Sequence, residues 1–252
     1  MTTLQEAIGS VPADEAIERF NIEVFGDYGT GKTHLIGTAA DHPQTSPVLL
    51  IDIEGGAATL RKRPEIQVVQ VRTMNQMVTI HNELKKRLLA DDAEDDPTLP
   101  KTVAVDSLTE LQRLDLAEIQ AIASRDNDKE DPDIASQRGW GKTLAHMRQI
   151  CRAYKDLPCN VIFTALAVKN IDKGTGEVTI WPAMQGRCLF EIPGFFDVVA
   201  YLDTIIEKDK IERRLITAGH PIYKAKDRLG VSNGKGYVLN PTVPMLFNNL
   251  NS

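Results

Sequence analysis

The chain has 252 residues, and 42% hydrophobic with 25% charged residues is the balance of a folded globular protein, not a disordered or fibrous one. Three cysteines (Cys151, Cys159, Cys188) without a C-x-x-C pair argue against a disulfide framework or zinc site, and no stretch reaches the ~18 apolar residues of a membrane span. The net charge of −6 is uneven: Asp91 to Asp133 carries 14 Asp/Glu against 4 Lys/Arg, and Glu207 to Gly236 carries 8 Lys/Arg against 4 Asp/Glu.

Met1–Arg19 reads as a polar arm, with a turn at Val11 and Pro12 and one helical turn capped by Asp14; its start lacks the basic and apolar regions of a secretory signal. Phe20–Phe25 alternates and predicts a strand, and Thr33–Ala40 predicts a helix that stops before Pro43. Val48–Ile53 (VLLIDI) is a continuous apolar run between Pro47 and Gly55, which suits a buried parallel strand. Val68–Val71 follows as a short strand. Asn75–Leu89 has helical spacing through Met77, Ile80, Leu84 and Leu88. Thr102–Val105 is a second buried run, and Leu108–Ala123 is a helix with Leu111, Leu114, Ile119 and Ile122 facing inward. The polar stretch Ser124–Gly139 predicts a long loop, Trp140–Tyr154 a helix and Asn160–Ala167 a strand. Asp172 to Gly176 (DKGTG) is a hairpin turn between extended segments. Val198–Leu202, Arg214–Thr217 and Ile222–Ala225 complete a run of late strands. Strand and helix alternate early and strands dominate late, so the expected fold class is α/β: a mostly parallel central sheet flanked by helices and extended by antiparallel C-terminal strands. A single core domain over residues 20–252 accommodates all of it.

The sharpest motif is Gly26, Asp27, Tyr28, Gly29, Thr30, Gly31, Lys32 and Thr33, followed by His34, which fits G-x-x-x-x-G-K-[ST]. It follows a predicted strand and opens a predicted helix. That placement points consecutive backbone N–H groups and the helix N-terminus into one concavity suited to phosphate. Gly26, Gly29 and Gly31 permit unusual dihedrals and leave room for phosphate oxygens. Lys32 is expected to bind the β- and γ-phosphates, and Thr33 to ligate Mg²⁺. A phosphate loop needs a metal-organising carboxylate on a neighbouring strand, and the run TVAVD supplies Asp106, acting through water, with Ser107 capping the next helix. Hydrolysis also needs a group that handles the attacking water. Position 107 is Ser, so the candidate is Glu54, closing the strand VLLIDI, which is expected to lie beside the phosphate-loop strand. Asp52 reads as a buried, hydrogen-bonded strand residue.

In this order of parts the chain resembles the RecA-like P-loop ATPases, and more closely the RecA-like ATP-binding proteins of phages and prophages, the Sak-type recombination ATPases. The resemblance rests on VFGDYGTGKTHL, LLIDIEGGAATL, VAVDSLTEL, WGKTLAHM, NVIFTALA, the PAMQGR to FFDVVAYL segment and YKAKDRLG, from Phe20 to about Gly230. It implies an ATPase that uses ATP and Mg²⁺ in the bacterial cytoplasm and works as a homo-oligomer, ring or filament. It further implies that Lys226 and Arg228 reach the γ-phosphate of a neighbouring subunit. Two departures stand out. The region where such proteins sense the γ-phosphate holds Ala165, Leu166 and Ala167, with Thr164 the nearest hydroxyl. Of the two loops that would grip single-stranded DNA, Ser124–Gly139 is acidic at its centre and Lys169–Thr179 offers Lys169 and Lys173. Trp140 and Trp181 are as well suited to a core as to base stacking.

Three functions compete on these residues. The first is a Mg²⁺-ATPase of phage recombination assembling on or near single-stranded DNA. The second is an ATP-dependent interaction or loader protein for a recombinase or single-strand-binding protein. The third is a small-molecule kinase, disfavoured by the lack of an arginine-rich lid. No membrane partner is expected.

Overall fold

The computed structural model describes residues 19–126, 131, 134–207 and 210–250. The expected turn and cap of the N-terminal arm lie outside the described residues, as does the centre of the Ser124–Gly139 stretch.

The run NIEVF forms β1 (Asn21–Phe25), VLLID forms β2 (Val48–Asp52), TVAVD forms β4 (Thr102–Asp106) and NVIFTA forms β5 (Asn160–Ala165). These strands are buried on both sides because helices cover both faces of the sheet, which is why they read as apolar runs. With β3 (Ile66–Gln70), β8 (Val198–Glu207), β9 (Lys210–Ile216) and β11 (Tyr237–Leu239), the sheet order is β11-β9-β8-β1-β5-β4-β2-β3. The pairings from β3 across to β8 are parallel, while β8–β9 and β9–β11 are antiparallel. The short β10 (Lys226–Asp227) runs antiparallel beside the start of β8. A separate hairpin pairs β6 (Ala167–Ile171) with β7 (Val178–Pro182) around the Asp172–Gly176 turn.

On one face, α1 (Lys32–Gly37) and α6 (Val243–Leu250) pack Leu35, Ile36, Leu246 and Phe247 against Ile22, Val24, Leu50 and Ile162. On the other, α2 (Met74–Leu88), α3 (Leu108–Asp126) and α4 (Gln137–Lys155) pack Met77, Leu111, Met147 and Tyr154 against Phe25, Val105 and Phe163. Adjacent strand residues such as Val24 and Phe25 thus serve opposite layers. Thr73 and Gln76 close a reciprocal cap at the start of α2, and Ser136 caps α4 by accepting from the Gly139 N–H. A short helix α5 (Cys188–Glu191) leads into β8.

The fold class matches expectation, with local corrections. Ile122 is exposed on α3, where Leu111 and Ile119 are the residues that turn inward. Asn160–Ala167 is broken at Leu166, where β5 ends and the hairpin begins. Ile222–Ala225 is no strand: Tyr223 makes one isolated bridge to Ile180 as the chain crosses from β7 towards β8, where Lys226 and Asp227 take up regular pairing. The C-terminal β11 and α6 were not expected. Cys151, Cys159 and Cys188 are free and buried.

Candidate nucleotide site

The phosphate loop leaves β1 at Phe25 and enters α1 at Lys32. Gly26 sits against β8: a Cβ there would stand 2.5 Å from the Leu202 carbonyl oxygen, so a side chain would force the two strands apart. Gly31 has φ 98°, a left-handed backbone that a side chain would strain. The Thr30 hydroxyl donates to the Asp27 carbonyl at 2.9 Å and closes the loop on itself. Tyr28 is 91% exposed at its tip, and Asp27 and His34 are exposed at its flanks. Lys32 Nζ donates to the carbonyls of Gly26 and Asp27, each at 2.9 Å, which places the ammonium inside the loop. Burial pulls the Lys32 pKa below its usual value, and the carboxylates of Glu54, Asp106 and Asp27 pull it back up. Among the described residues Lys32 is the one buried cation, and these three carboxylates act on it.

Asp106 ends β4 and is buried. Its Oδ2 accepts from the Thr33 hydroxyl at 2.7 Å, and its Oδ1 accepts from the Thr164 hydroxyl on β5. Thr164 is fully buried, so it orients the carboxylate and is not presented to a ligand. The peptide bond from Asp106 to Ser107 is cis, and the Ser107 hydroxyl accepts from the Glu110 N–H at 3.4 Å, the expected cap of α3. Thr33 and Asp106 give two hard oxygen donors at one point. That set fits Mg²⁺, which is commonly held by one or two protein oxygens together with substrate phosphates and waters.

Glu54 is exposed just past the end of β2, and its backbone N–H donates to the Asp106 carbonyl at 3.2 Å. The expectation that its strand lies beside the phosphate-loop strand is wrong. β2 pairs with β4 and β3, and two strands, β5 and β4, separate it from β1. Asp106 is likewise one strand removed, with β5 between. The parts still converge: a Cβ on Gly56 would lie 3.3 Å from both Asp106 Oδ2 and Thr33 Oγ1, so the turn after β2 folds over the Thr33–Asp106 pair. Asp52 is fully buried and makes that turn, accepting from the N–H groups of Gly55, Gly56 and Ala57 at 2.7, 3.0 and 3.3 Å.

Lys226 and Arg228 are not at this pocket. Lys226 is paired with Val199, and the Arg228 N–H donates to the Asp197 carbonyl at 3.1 Å. Val199 is level with Glu23 in the middle of β1, and Asp197 with Asn21 at its start, so Lys226 stands beside mid-strand and Arg228 at the end of β1 away from the loop. At ~3.3 Å per residue, Arg228 is about 16 Å below Gly26 along the strand direction. Lys169 and Lys173 are exposed on the β6–β7 hairpin. Trp181, half-buried, packs edge-on against Phe190 with Lys224 over its ring.

Two groups have no local signal in the sequence. Arg213 on β9 donates from Nε to the Thr30 carbonyl at 3.1 Å, a contact that exists only because β9 folds back along β8. Glu23, in the middle of β1, is fully buried with neither carboxylate oxygen hydrogen-bonded, and burial pushes its pKa up to about 8 against an opposing effect of Lys226.

A family model described as an AAA domain matches residues 19–229. Among solved structures, a KaiC-like protein from the hyperthermophilic archaeon Pyrococcus horikoshii OT3 is similar at 15% identity and TM-score 0.46, with 96% of each chain covered. The RadB recombinase is similar at 14% identity and TM-score 0.45, covering 78% of this chain and 79% of its own. The comparison with curated proteins gives no match. The sheet order and phosphate loop described above are those of an α/β fold with a phosphate loop between its first strand and first helix.

Proposed function

Because the chain belongs to the AAA domain family and is a P-loop ATPase, we propose that it hydrolyses ATP with Mg²⁺ in phage DNA recombination or single-strand annealing. In this reading it acts as an oligomer on or near single-stranded DNA. The observation that carries the hydrolytic part is the 2.7 Å bond between Thr33 and Asp106, which joins the phosphate loop to the carboxylate strand at one metal-sized point.

Each residue then has a task. The loop N–H groups and Lys32 bind the β- and γ-phosphates and offset charge that builds on them in the transition state. Thr33 and Asp106 would hold Mg²⁺, which when bound neutralises phosphate charge. Glu54, exposed beside this pair, orients an attacking water and takes its proton. Lys226 and Arg228, facing away from their own pocket, serve the γ-phosphate of a neighbouring copy.

The recombination assignment is supported by the resemblance of the motif-bearing segments to phage recombination ATPases and by Lys169 and Lys173 on the exposed β6–β7 hairpin. A second reading, an ATP-dependent loader for a recombinase or single-strand-binding protein, is favoured by the small number of cations on that hairpin, since phosphate neutralisation dominates DNA affinity. A gel shift with single-stranded DNA, with and without ATP at two salt concentrations, decides between them. ATP-dependent retention that weakens at the higher salt supports direct DNA binding. Active ATP turnover with no retention at either salt supports the loader.

A further inference from the structure

The antiparallel β8–β9 extension touches the phosphate loop through Arg213. Its Nε donates to the Thr30 carbonyl at 3.1 Å, and its side chain fills the space behind Gly31, where a Cβ would stand 2.4 Å from Nε and 3.1 Å from Cδ. Its neighbour Arg214 points to the other face and pairs with Asp203 at 2.9 Å, whereas among the described residues no carboxylate pairs with Arg213. The backbone of Arg213 is clamped by Asn240: its N–H donates to Asn240 Oδ1 at 3.0 Å, and the Asn240 N–H donates back to its carbonyl at 2.6 Å. Asn240 is in turn placed by the C-terminal segment, where the Val243 N–H donates to the Thr38 hydroxyl just after α1.

Peptide geometry converts this contact into a statement about phosphate. The Thr30–Gly31 bond is trans, so its C=O and N–H point to opposite sides of one plane. A carbonyl held towards β9 turns the Gly31 N–H the other way, towards the hollow of the loop where phosphate oxygens would accept from it. A cation on the carbonyl also polarises that peptide, strengthening its N–H as a donor.

We infer that Arg213 is a positioning residue of the nucleotide site: through Thr30 it aims the Gly31 N–H at the phosphates and places a positive charge behind the loop. This rests on the ATP reading above. It makes the C-terminal strands part of the nucleotide pocket, so that β8, β9 and the Asn240 clamp set triphosphate affinity.

The test is calorimetric titration of wild type, Arg213→Ala and Arg213→Lys with MgATP, together with the melting temperature of each protein without nucleotide. Loss of a charge-assisted donor predicts that Arg213→Ala binds MgATP roughly ten- to a hundredfold more weakly. Its nucleotide-free melting temperature should stay close to wild type, and Arg213→Lys, which keeps a donor and the charge, should recover most of the affinity. Should Arg213→Ala fail to fold, Arg213→Gln carries the same comparison, because it fills much of the space without the charge. Unchanged affinity in the neutral variant overturns the inference, as does a melting temperature that falls in step with affinity in all variants. A wild-type protein that binds no triphosphate overturns the ATP reading as well; wild-type binding with an indifferent variant overturns this inference alone.

Discussion

At the scale of single residues, the two candidate carboxylates are set apart by their hydrogen bonds. Both oxygens of Asp106 are occupied as acceptors, from Thr33 and Thr164, so the carboxyl is fixed in orientation beside the phosphate loop. Glu54 stands exposed with its charge felt by Lys32, free to accept a proton from water. Glu54→Gln should therefore retain MgATP binding by calorimetry while phosphate release falls by roughly 10²–10⁴; full turnover would place the base elsewhere. Thr164→Val tests the support behind Asp106. It leaves one buried oxygen without its donor, which costs about 1–3 kcal/mol and should lower both the melting temperature and the Mg²⁺ dependence of ATP binding. The motif residues were legible because a phosphate loop needs glycines, a lysine and a hydroxyl at fixed spacing. The role of Thr164 was not: the sequence showed a hydroxyl near the phosphates, and only the β4–β5 register turns it to Asp106.

At the scale of elements, burial of the central strands was readable from their apolar runs, but their order was not, because every parallel run looks alike until the crossovers are known. Glu54 reaches the pocket from a strand two removed from where it was expected, which matters little chemically because the turn built by Asp52 brings it back. Glu23 is the exception within β1: a carboxyl in a strand covered on both faces, with no hydrogen bond to compensate its burial. Its folded pKa of about 8 lies above the usual 4.5. The folded state therefore holds a proton that the unfolded chain releases, and the stability contribution of Glu23 is full below pH 4.5 and declines as pH rises towards 8. Glu23→Gln removes the ionisation at nearly constant shape. Thermal unfolding should show the variant more stable than wild type at pH 8, by an amount on the order of a few kcal/mol, with the gap closing towards pH 5. A gap independent of pH would mean that Glu23 is ionised in the folded protein.

At the scale of the whole molecule, the placement of Lys226 and Arg228 decides how many copies make one working site. Lys226 is level with the middle of β1 and Arg228 with its start, both on the far side of β8 from β1, so no side-chain movement on a fixed sheet brings Arg228 to its own pocket. Arg228 is more than half exposed and lies 3.8 Å from Asp197, a loose pairing from which it can be released. Lys226 is partly buried, and its pKa is pulled down by burial and by the Arg228 charge, which favours giving it a phosphate partner. If a neighbour's γ-phosphate is that partner, each active site is split between two protomers. Arg228→Ala should then bind MgATP normally and lose turnover by roughly 10³-fold or more in the assembled protein. Activity in the wild type should rise faster than linearly with protein concentration. Mixing gives the sharper readout: Glu54→Gln supplies an intact Arg228 and Arg228→Ala supplies an intact Glu54, so co-assembly creates composite sites in which both groups are wild type. Phosphate release by the mixture should exceed the sum of the two proteins measured apart, whereas a strictly additive rate would place Arg228 in service of its own subunit or of none.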